Sequence, residues 1–369
     1  MKSGGNTSSY KHKQVYDDLK QRIKSGEFEN GRRLPTASQL AVDYAVSRPT
    51  ATKALNELHK DGIVSQGSGS GSYAAPLSQG KAETKVFGLL IPGLGSIEIF
   101  EPITSQIAAR SEKDNFSLLW IGSQVSPEGS LSTLEYAARR YVESGISGVF
   151  FSPIELGPTF AESNRLVISI LSEAKIPVVL IDTDYLPFPE RSPYDLVSID
   201  HYRGAYLITQ HFLSHGLDRV DFLARPYSAS TMSIRLLGYH AALFDRGILG
   251  KKEWVHIGNP CDPDFVLHEV LLSGATDIIC GNDDTAAALL QTLAKLSVEV
   301  PAQVRVIGFD DVRYAQHLSV PLTTLKQPCA ELGDLAVDTM LSRLRDPELP
   351  SRTISLQGAL IVRRSCGCT

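Results

Sequence analysis

Apolar residues recur along the first sixty positions at helical spacing. Val15, Leu19 and Ile23 fall every four residues between Lys11 and Ser25, and Gly26 stops the run, which predicts one amphipathic helix. An Asn30-Gly31 turn and the Leu34-Pro35 pair follow. Thr36-Ala37-Ser38-Gln39 then has the form of a capping box, with Leu40, Ala41 and Tyr44 on the buried face of a short second helix. Ser47 is the expected N-cap of a third helix, and Pro49 sits in its first turn, where a missing N–H costs little. Ala54, Leu55 and Leu58 supply its core stripe up to Asp61-Gly62. Two short helices so closely joined predict a helix-turn-helix. Ile63-Val64-Ser65, the run Gly67-Ser68-Gly69-Ser70-Gly71-Ser72 and the apolar Tyr73 then read as a two-stranded wing with a glycine tip. A flexible Gly/Ser linker is the alternative.

After a connection without periodicity, containing Pro76, Ser78 and Gly80, the pattern changes to short apolar runs. These are 86–91, 118–121, 148–151, 178–181, 220–223, 278–280 and 304–307, with helical stretches between most of them. Strands alternating with helices imply doubly wound parallel α/β sheets. The first run leads into Gly93-Leu94-Gly95, but Glu98 stands where a dinucleotide fingerprint needs its third glycine, and no ribose-binding acid follows at the right distance. No nucleotide site, and no cofactor, is expected.

A chain of 369 residues with 43% hydrophobic and 21% charged residues has room for two or three globular domains. It lacks a run of about 18 apolar residues, so no membrane association is expected. The polar, Gly/Ser-rich residues 1–9 read as a disordered lead without the apolar centre of a secretory signal, which predicts a cytoplasmic protein. Five scattered cysteines give no disulfide framework. Cys366-Gly367-Cys368 reads as a loose, solvated tail, and no metal site is expected. The net charge of −5 conceals a split: residues 1–80 hold 11 Lys+Arg against 7 Asp+Glu, the remainder 25 against 34. Any contact with DNA phosphates therefore belongs to the first eighty residues.

Those residues resemble the GntR family of winged-helix regulators. The likeness rests on Ser25-Gly26, Gly31-x-Arg33-Leu34-Pro35-Thr36, Val46-Ser47-Arg48-x-Thr50, Ala54-Leu55 and Gly67-x-Gly69-x-Gly71-Ser72-Tyr73. It implies DNA contacts from Ser38, Ser47, Arg48, Thr50 and Thr52, with Gly69 at a wing tip in the minor groove. Arg48 at the start of a recognition helix can bind guanine bidentately or hold phosphate. Ala37 and Ser38 depart from the family's acid-arginine pair. Thr52 stands where it has a basic residue, a place that Lys53 can take, so the operator sequence does not carry over.

The remainder resembles the LacI/GalR effector domain, which shares its fold with periplasmic sugar-binding proteins. The motifs are Ile176 to Asp182, Asp200 to Ala205, Arg235-Leu236-x-Gly238-Tyr239, Gly281-Asn282-Asp283, Val306 to Asp311 and Pro321 to Pro328. The resemblance implies a two-lobed, type I periplasmic-binding-protein-like sensor, joined to the winged helix-turn-helix. The domains are then a head at 10–75, a linker at 76–84 and an effector domain at 85–369. Lobe one would take about 85–215 and 328–347, and lobe two about 216–327 and 348–366. Ligand would lie in the cleft at the strand C-termini. Arg235, Asn282, Asp310 and Gln327 are the expected polar contacts, with Phe100 stacking on an apolar sugar face and Asp200 and Thr231 in support. Capping and turn roles for Asn282 and Asp310, and a core role for Phe100, are the alternatives. The hinge helix typical of the LacI type is absent, and 93–100 departs from the usual Asp-x-Ser-Asn-Pro-Phe-Phe segment.

These readings converge on a ligand-responsive repressor of carbohydrate-use genes, with no catalytic residues and no enzymatic activity. It would be a nucleoid-associated homodimer on double-stranded operator DNA, released by a small-molecule effector, a sugar. A glycoside-acting enzyme using Asp283 or Asp284 with Asp310, or a transport binding protein, are the rivals on the same α/β scaffold.

Overall fold

The computed structural model describes residues 6–25, 27–28, 33–61, 63–66, 72–74, 84–91, 99–121, 131–154, 160–226, 228 and 230–368. The chain divides into two compact units, Met1–Thr84 and Lys85–Thr369.

In the first unit, helix α1 (Asn6–Lys24) is followed by α2 (Ala37–Asp43), α3 (Arg48–Lys60) and strands β1 (Val64–Gln66) and β2 (Ser72–Ala74). Val15, Leu19 and Ile23 pack on Leu34, Leu40, Ala54 and Leu58 in one apolar core. Helix α1 begins inside the stretch expected to be a disordered lead. No glycine or proline lies between Asn6 and Lys24, so a helix seeded on the apolar stripe extends backward with one hydrogen bond gained per residue fixed. The Thr36/Gln39 capping box forms in both directions, and Ser47 caps α3 through the Thr50 N–H. β1 and β2 pair antiparallel, Val64 opposite Ala74, and the Leu34 N–H donates to Ser72 O at 2.8 Å. The segment is therefore a wing and not a free linker. Its expected tip, with Gly69, lies outside the described residues.

The second unit has two six-stranded sheets. Lobe one orders its strands β13-β7-β6-β5-β3-β4, all parallel. They are β3 (Lys85–Leu90), β4 (Phe116–Leu119), β5 (Gly148–Phe151), β6 (Val178–Ile181), β7 (Asp195–Ile199) and β13 (Thr353–Leu356). Helices α4 (Phe100–Asp114), α5 (Leu131–Glu143), α6 (Phe160–Glu173) and α11 (Cys329–Arg345) pack with this sheet. Lobe two has the order β14-β12-β11-β10-β8-β9, parallel except for β14. Its strands are β8 (Asp221–Ala224), β9 (Val255–Ile257), β10 (Asp277–Cys280), β11 (Arg305–Asp310), β12 (Thr323–Lys326) and β14 (Ala359–Ile361). Its helices are α7 (His201–Leu213), α8 (Ser230–Asp245), the short α9 (Pro263–Phe265) and α10 (Asp283–Lys295).

Two expected lobe boundaries move. α7, expected in lobe one, packs on α8 and against β12: a Cβ at Gly204 would lie 2.5 Å from Leu325 Cδ2. The crossing thus falls at 199–201. Likewise β13 joins lobe one, where Thr353 pairs with Leu196. The buried Asp195 carboxylate holds it there, accepting from the Arg352 N–H at 2.8 Å and from Arg343. The expected loose tail is also pinned. Ser365 Oγ donates to Val306 O and accepts from the Thr323 N–H, and Cys366 is buried in the 3-10 turn Arg364–Cys366.

Candidate functional site

The N-terminal end of α3 presents a polar surface. Ser38, Ser47, Arg48, Thr52 and Lys53 are exposed and Thr50 is half-buried. Ser47 Oγ and Thr50 Oγ1 share a hydrogen bond of 2.7 Å, and Thr52 Oγ1 donates to Arg48 O. Ser47 Oγ thus caps the helix, and Arg48 is exposed at its first position, where the helix dipole is positive, with Lys53 exposed one turn further on.

In the second unit the chain crosses between the sheets at three places: Ile199 to His201, Lys326 to Cys329, and Leu356 to Ala359. Polar side chains gather at the adjoining strand ends. Arg235, on the first turns of α8, is buried and lies over the Phe309 ring, 3.7 Å from its centroid. Its Nη1 donates to Gly281 O at 2.5 Å, its Nε to His201 Nδ1 at 3.3 Å, and its Nη2 is 3.6 Å from Asp310 Oδ1. With Nδ1 accepting, the imidazole proton sits on Nε2, which faces Ser198 Oγ at 3.2 Å and Asp182 Oδ1 at 3.6 Å. Gln327 Nε2 donates to Asp310 Oδ1 at 2.7 Å. Two acceptor atoms of this cluster are buried without a hydrogen-bond partner: Gln327 Oε1 and Asp182 Oδ1. Such atoms cost about 1–3 kcal/mol each, which a ligand supplying hydroxyl donors would relieve.

Burial sets the charge states. Desolvation pushes the Asp310 carboxyl up to about 7 against the opposing pull of Arg235, and raises Asp182 as well. It drives His201 well below the usual imidazole range, an effect that nearby Arg235 reinforces. Asp182 (φ 70°), Asp310 (φ 126°) and Asp311 (φ 55°) are non-glycine residues in the left-handed region, each costing on the order of 1–3 kcal/mol. Strain, burial and unmet hydrogen bonds thus coincide.

A cavity of about 230 Å³ adjoins the cluster, lined by Asp182, Asp184, Phe188, Asp200, His201 and Thr231 among others. A second of about 220 Å³ shares Thr183, Asp184, Leu186, Phe188 and Ser230 with it, so the pair reaches the lower range of small-molecule sites, about 300–1,000 Å³. Thr183 Oγ1 and Ser230 Oγ, 2.7 Å apart, join the lobes at this wall.

Of the seven expected ligand contacts, Arg235, Asp310 and Gln327 fall in the cluster, and Asp200 and Thr231 line the first cavity. Asp200 also caps α7 through the Arg203 N–H. Asn282 caps α10, its Oδ1 accepting from the Thr285 N–H at 2.9 Å. Phe100 lies in the lobe-one core at 2% exposure, because Phe100, Ile103, Thr104 and Ile107 form the buried face of α4. An aromatic face is offered instead by Phe188, 53% exposed on the cavity wall. Asp182 and His201 were missed as site residues. A signal for Asp182 was its place just after an apolar strand, where α/β folds put their ligands.

Residues 11–73 match the family described as bacterial regulatory proteins, gntR family. Residues 209–366 match the periplasmic binding protein-like domain. The chain therefore joins a GntR helix-turn-helix domain to a LacI-type, periplasmic-binding-protein-like domain. The arabinose metabolism transcriptional repressor of Geobacillus stearothermophilus is 24% identical over 379 residues, 96% of this chain and 97% of that protein. The HTH-type transcriptional repressor PurR of Photobacterium profundum is 29% identical over 202 residues, 52% of this chain. The match spans 58% of that repressor, a little over half its length. Among solved structures, the transcription regulator CcpA of Lactococcus lactis, 20% identical, has a TM-score of 0.66 over 77% of this chain and 99% of that one. Among the described residues no helix is long and apolar enough to cross a membrane.

Proposed function

We propose that the protein is a cytoplasmic, nucleoid-associated transcriptional repressor whose grip on operator DNA is controlled by a sugar bound between the lobes of its second unit. The observation that carries this reading is the buried cluster of Arg235, Asp310, Gln327, Asp182 and His201, whose Asp182, with an unpartnered Oδ1, and His201 line the first of two adjoining cavities that together reach small-molecule size. A polyhydroxylated ligand matches such a site, since its hydroxyls can donate to Asp182 and Asp200 and exchange hydrogen bonds with the Ser230 and Thr231 hydroxyls on the cavity wall. The likeness to an arabinose metabolism repressor along nearly the whole chain favours a pentose. Ser38, Ser47, Arg48, Thr50, Thr52 and Lys53 of the head would contact DNA, and a homodimer would present two heads to a roughly palindromic operator.

The two carboxylates that a glycoside-acting enzyme would pair with Asp310 are engaged elsewhere. Asp283 is fully buried and occupied, accepting from Thr324 Oγ1 at 2.6 Å and the Val312 N–H at 3.0 Å, and Asp284 pairs with Arg225 at 2.9 Å. A regulator is therefore expected to bind its sugar unchanged.

The test is a thermal-shift screen of the whole chain against pentoses, hexoses, oligosaccharides and purines. A ligand at 100 times its Kd stabilises the native state by about 2.7 kcal/mol. A sugar hit that disappears in Arg235→Ala and Asp310→Ala, and that shifts operator binding in a gel assay, supports the reading. Hits only among purines, or turnover of the sugar, would overturn it.

A further inference from the structure

We propose that His211, His215 and Cys368 form a binding site for a transition-metal ion of the zinc class, held by two imidazoles and one thiolate on lobe two. His211 lies in the last turn of α7 and His215 in the turn that follows it, where the His215 N–H donates to Phe212 O at 3.0 Å. Their rings meet edge to face at 5.1 Å. Cys368 reaches them from the far end of the chain, its Sγ lying 3.4 Å from His211 Nε2 and 3.2 Å from His215 Nε2. All three donor atoms are within 4.8 Å of one another.

These separations are close to those a metal requires. With Zn–S of about 2.3 Å and Zn–N of about 2.0–2.1 Å, the edges of a tetrahedron are roughly 3.3–3.6 Å long. The two S···N separations fall within a few tenths of an ångström of these edges, and the two imidazole nitrogens lie within 4.8 Å of each other. The mixed N/S set selects zinc, cobalt or nickel over magnesium and calcium, which prefer oxygen. Because His215 is exposed, a fourth position is open to water.

The backbone delivers the thiol on purpose-built geometry. Ser365 and Cys366 are buried against β11 and β12, with Cys366 Sγ 3.1 Å from Thr323 Oγ1. Gly367 then turns at φ 76°, a conformation that strains any other residue, and brings Cys368 back over α7. Cys366 is thus an anchor and not a ligand. A bound ion would fasten the C-terminal segment to a helix more than 150 residues away in sequence, the same helix whose first turn carries Asp200 and His201.

The test uses metal-stripped, full-length protein under a non-chelating phosphine reductant, titrated with Co²⁺ alone. The expected result is saturation at one equivalent, with a thiolate-to-cobalt charge-transfer band and the intense visible bands of four-coordination, all bleached by Zn²⁺. Cys368→Ser should remove the charge-transfer band, and His215→Gln should weaken Co²⁺ binding at least tenfold. Cys261→Ser, which changes an exposed cysteine apart from the cluster, should alter neither. Far-UV circular dichroism of each variant separates ligand loss from unfolding. Weak six-coordinate bands at one equivalent, or a charge-transfer band that survives Cys368→Ser in a folded protein, would overturn the site.

Discussion

At Asp310 three costs meet in one side chain: a left-handed φ of 126°, a carboxyl 13% exposed, and an ion-pair distance to Arg235 too long for a hydrogen bond. Desolvation pushes its pKa up to about 7, far above the unfolded value of about 3.9. A raised folded pKa means that the native state binds more protons than the unfolded state between those values, so the stability linked to Asp310 is present in acid and lost as pH rises toward 7. Asp283, raised to about 6, acts with the same sign. His201, depressed, acts with the opposite sign and loses stability below the usual imidazole range. The three profiles overlap, so the clean observable is a difference between proteins. Asp310→Asn should gain stability relative to the parent chain as pH rises from 4 to 7.5 in urea unfolding, by up to about 4 kcal/mol at about 1.4 kcal/mol per pH unit. A difference that does not change with pH would mean that Asp310 is ionised throughout.

Elements in this protein meet at points where one atom decides the fit. Gly238 of α8 faces α7 so closely that a Cβ would lie 2.1 Å from Tyr202 O, a backbone atom that cannot give way cheaply. Gly238→Ala should therefore cost about 1–3 kcal/mol or more despite adding a better helix former, read as a fall in thermal midpoint. The turn between α2 and α3 errs the other way. Ala45 holds φ 50°, where an L residue pays about 1–2 kcal/mol that glycine does not. After the greater unfolded-state entropy of glycine is subtracted, Ala45→Gly should stabilise the head by roughly 0.5–1 kcal/mol. A loss of stability would place the strain elsewhere. The same local physics explains what could be read from the sequence. β5 and β6 are continuous apolar runs buried on both faces, and they announce themselves. β12 is Thr-Thr-Leu-Lys, and its threonines become core residues only because Thr323 Oγ1 donates to Arg363 O and Thr324 Oγ1 to Asp283. β13 and β14 are half exposed, and only their partners β7 and β12 define them. Motif resemblance pointed to Arg235, Asp310 and Gln327. It could not place Phe100, whose burial depends on where α4 starts, nor join His211 and His215 to Cys368 across more than 150 residues.

Over the whole molecule, charge is divided by task. The first eighty residues carry an excess of four positive charges and the remainder an excess of nine negative ones, so an overall charge of −5 coexists with a basic head. If that head binds phosphates, operator affinity must fall steeply with salt, and Arg48→Ala should reduce the log–log slope by about one if Arg48 holds a phosphate. An unchanged slope with relaxed sequence preference would assign Arg48 to a base instead. Control by ligand makes a stricter demand, because coupling between two sites is reciprocal. A sugar that lowers operator affinity by some factor must itself bind more weakly, by the same factor, when operator DNA is present. For a coupling of about 1–3 kcal/mol that factor is about 5–150, well within reach of calorimetry. The measurement is the sugar Kd of the full chain, with and without saturating operator duplex, set beside the operator Kd with and without saturating sugar. Equal ratios would mean that occupancy of the cleft and grip on DNA bias one conformational equilibrium. A sugar Kd indifferent to DNA would leave both binding sites in place and remove the connection between them, since no ligand shifts an equilibrium between states that it binds equally well.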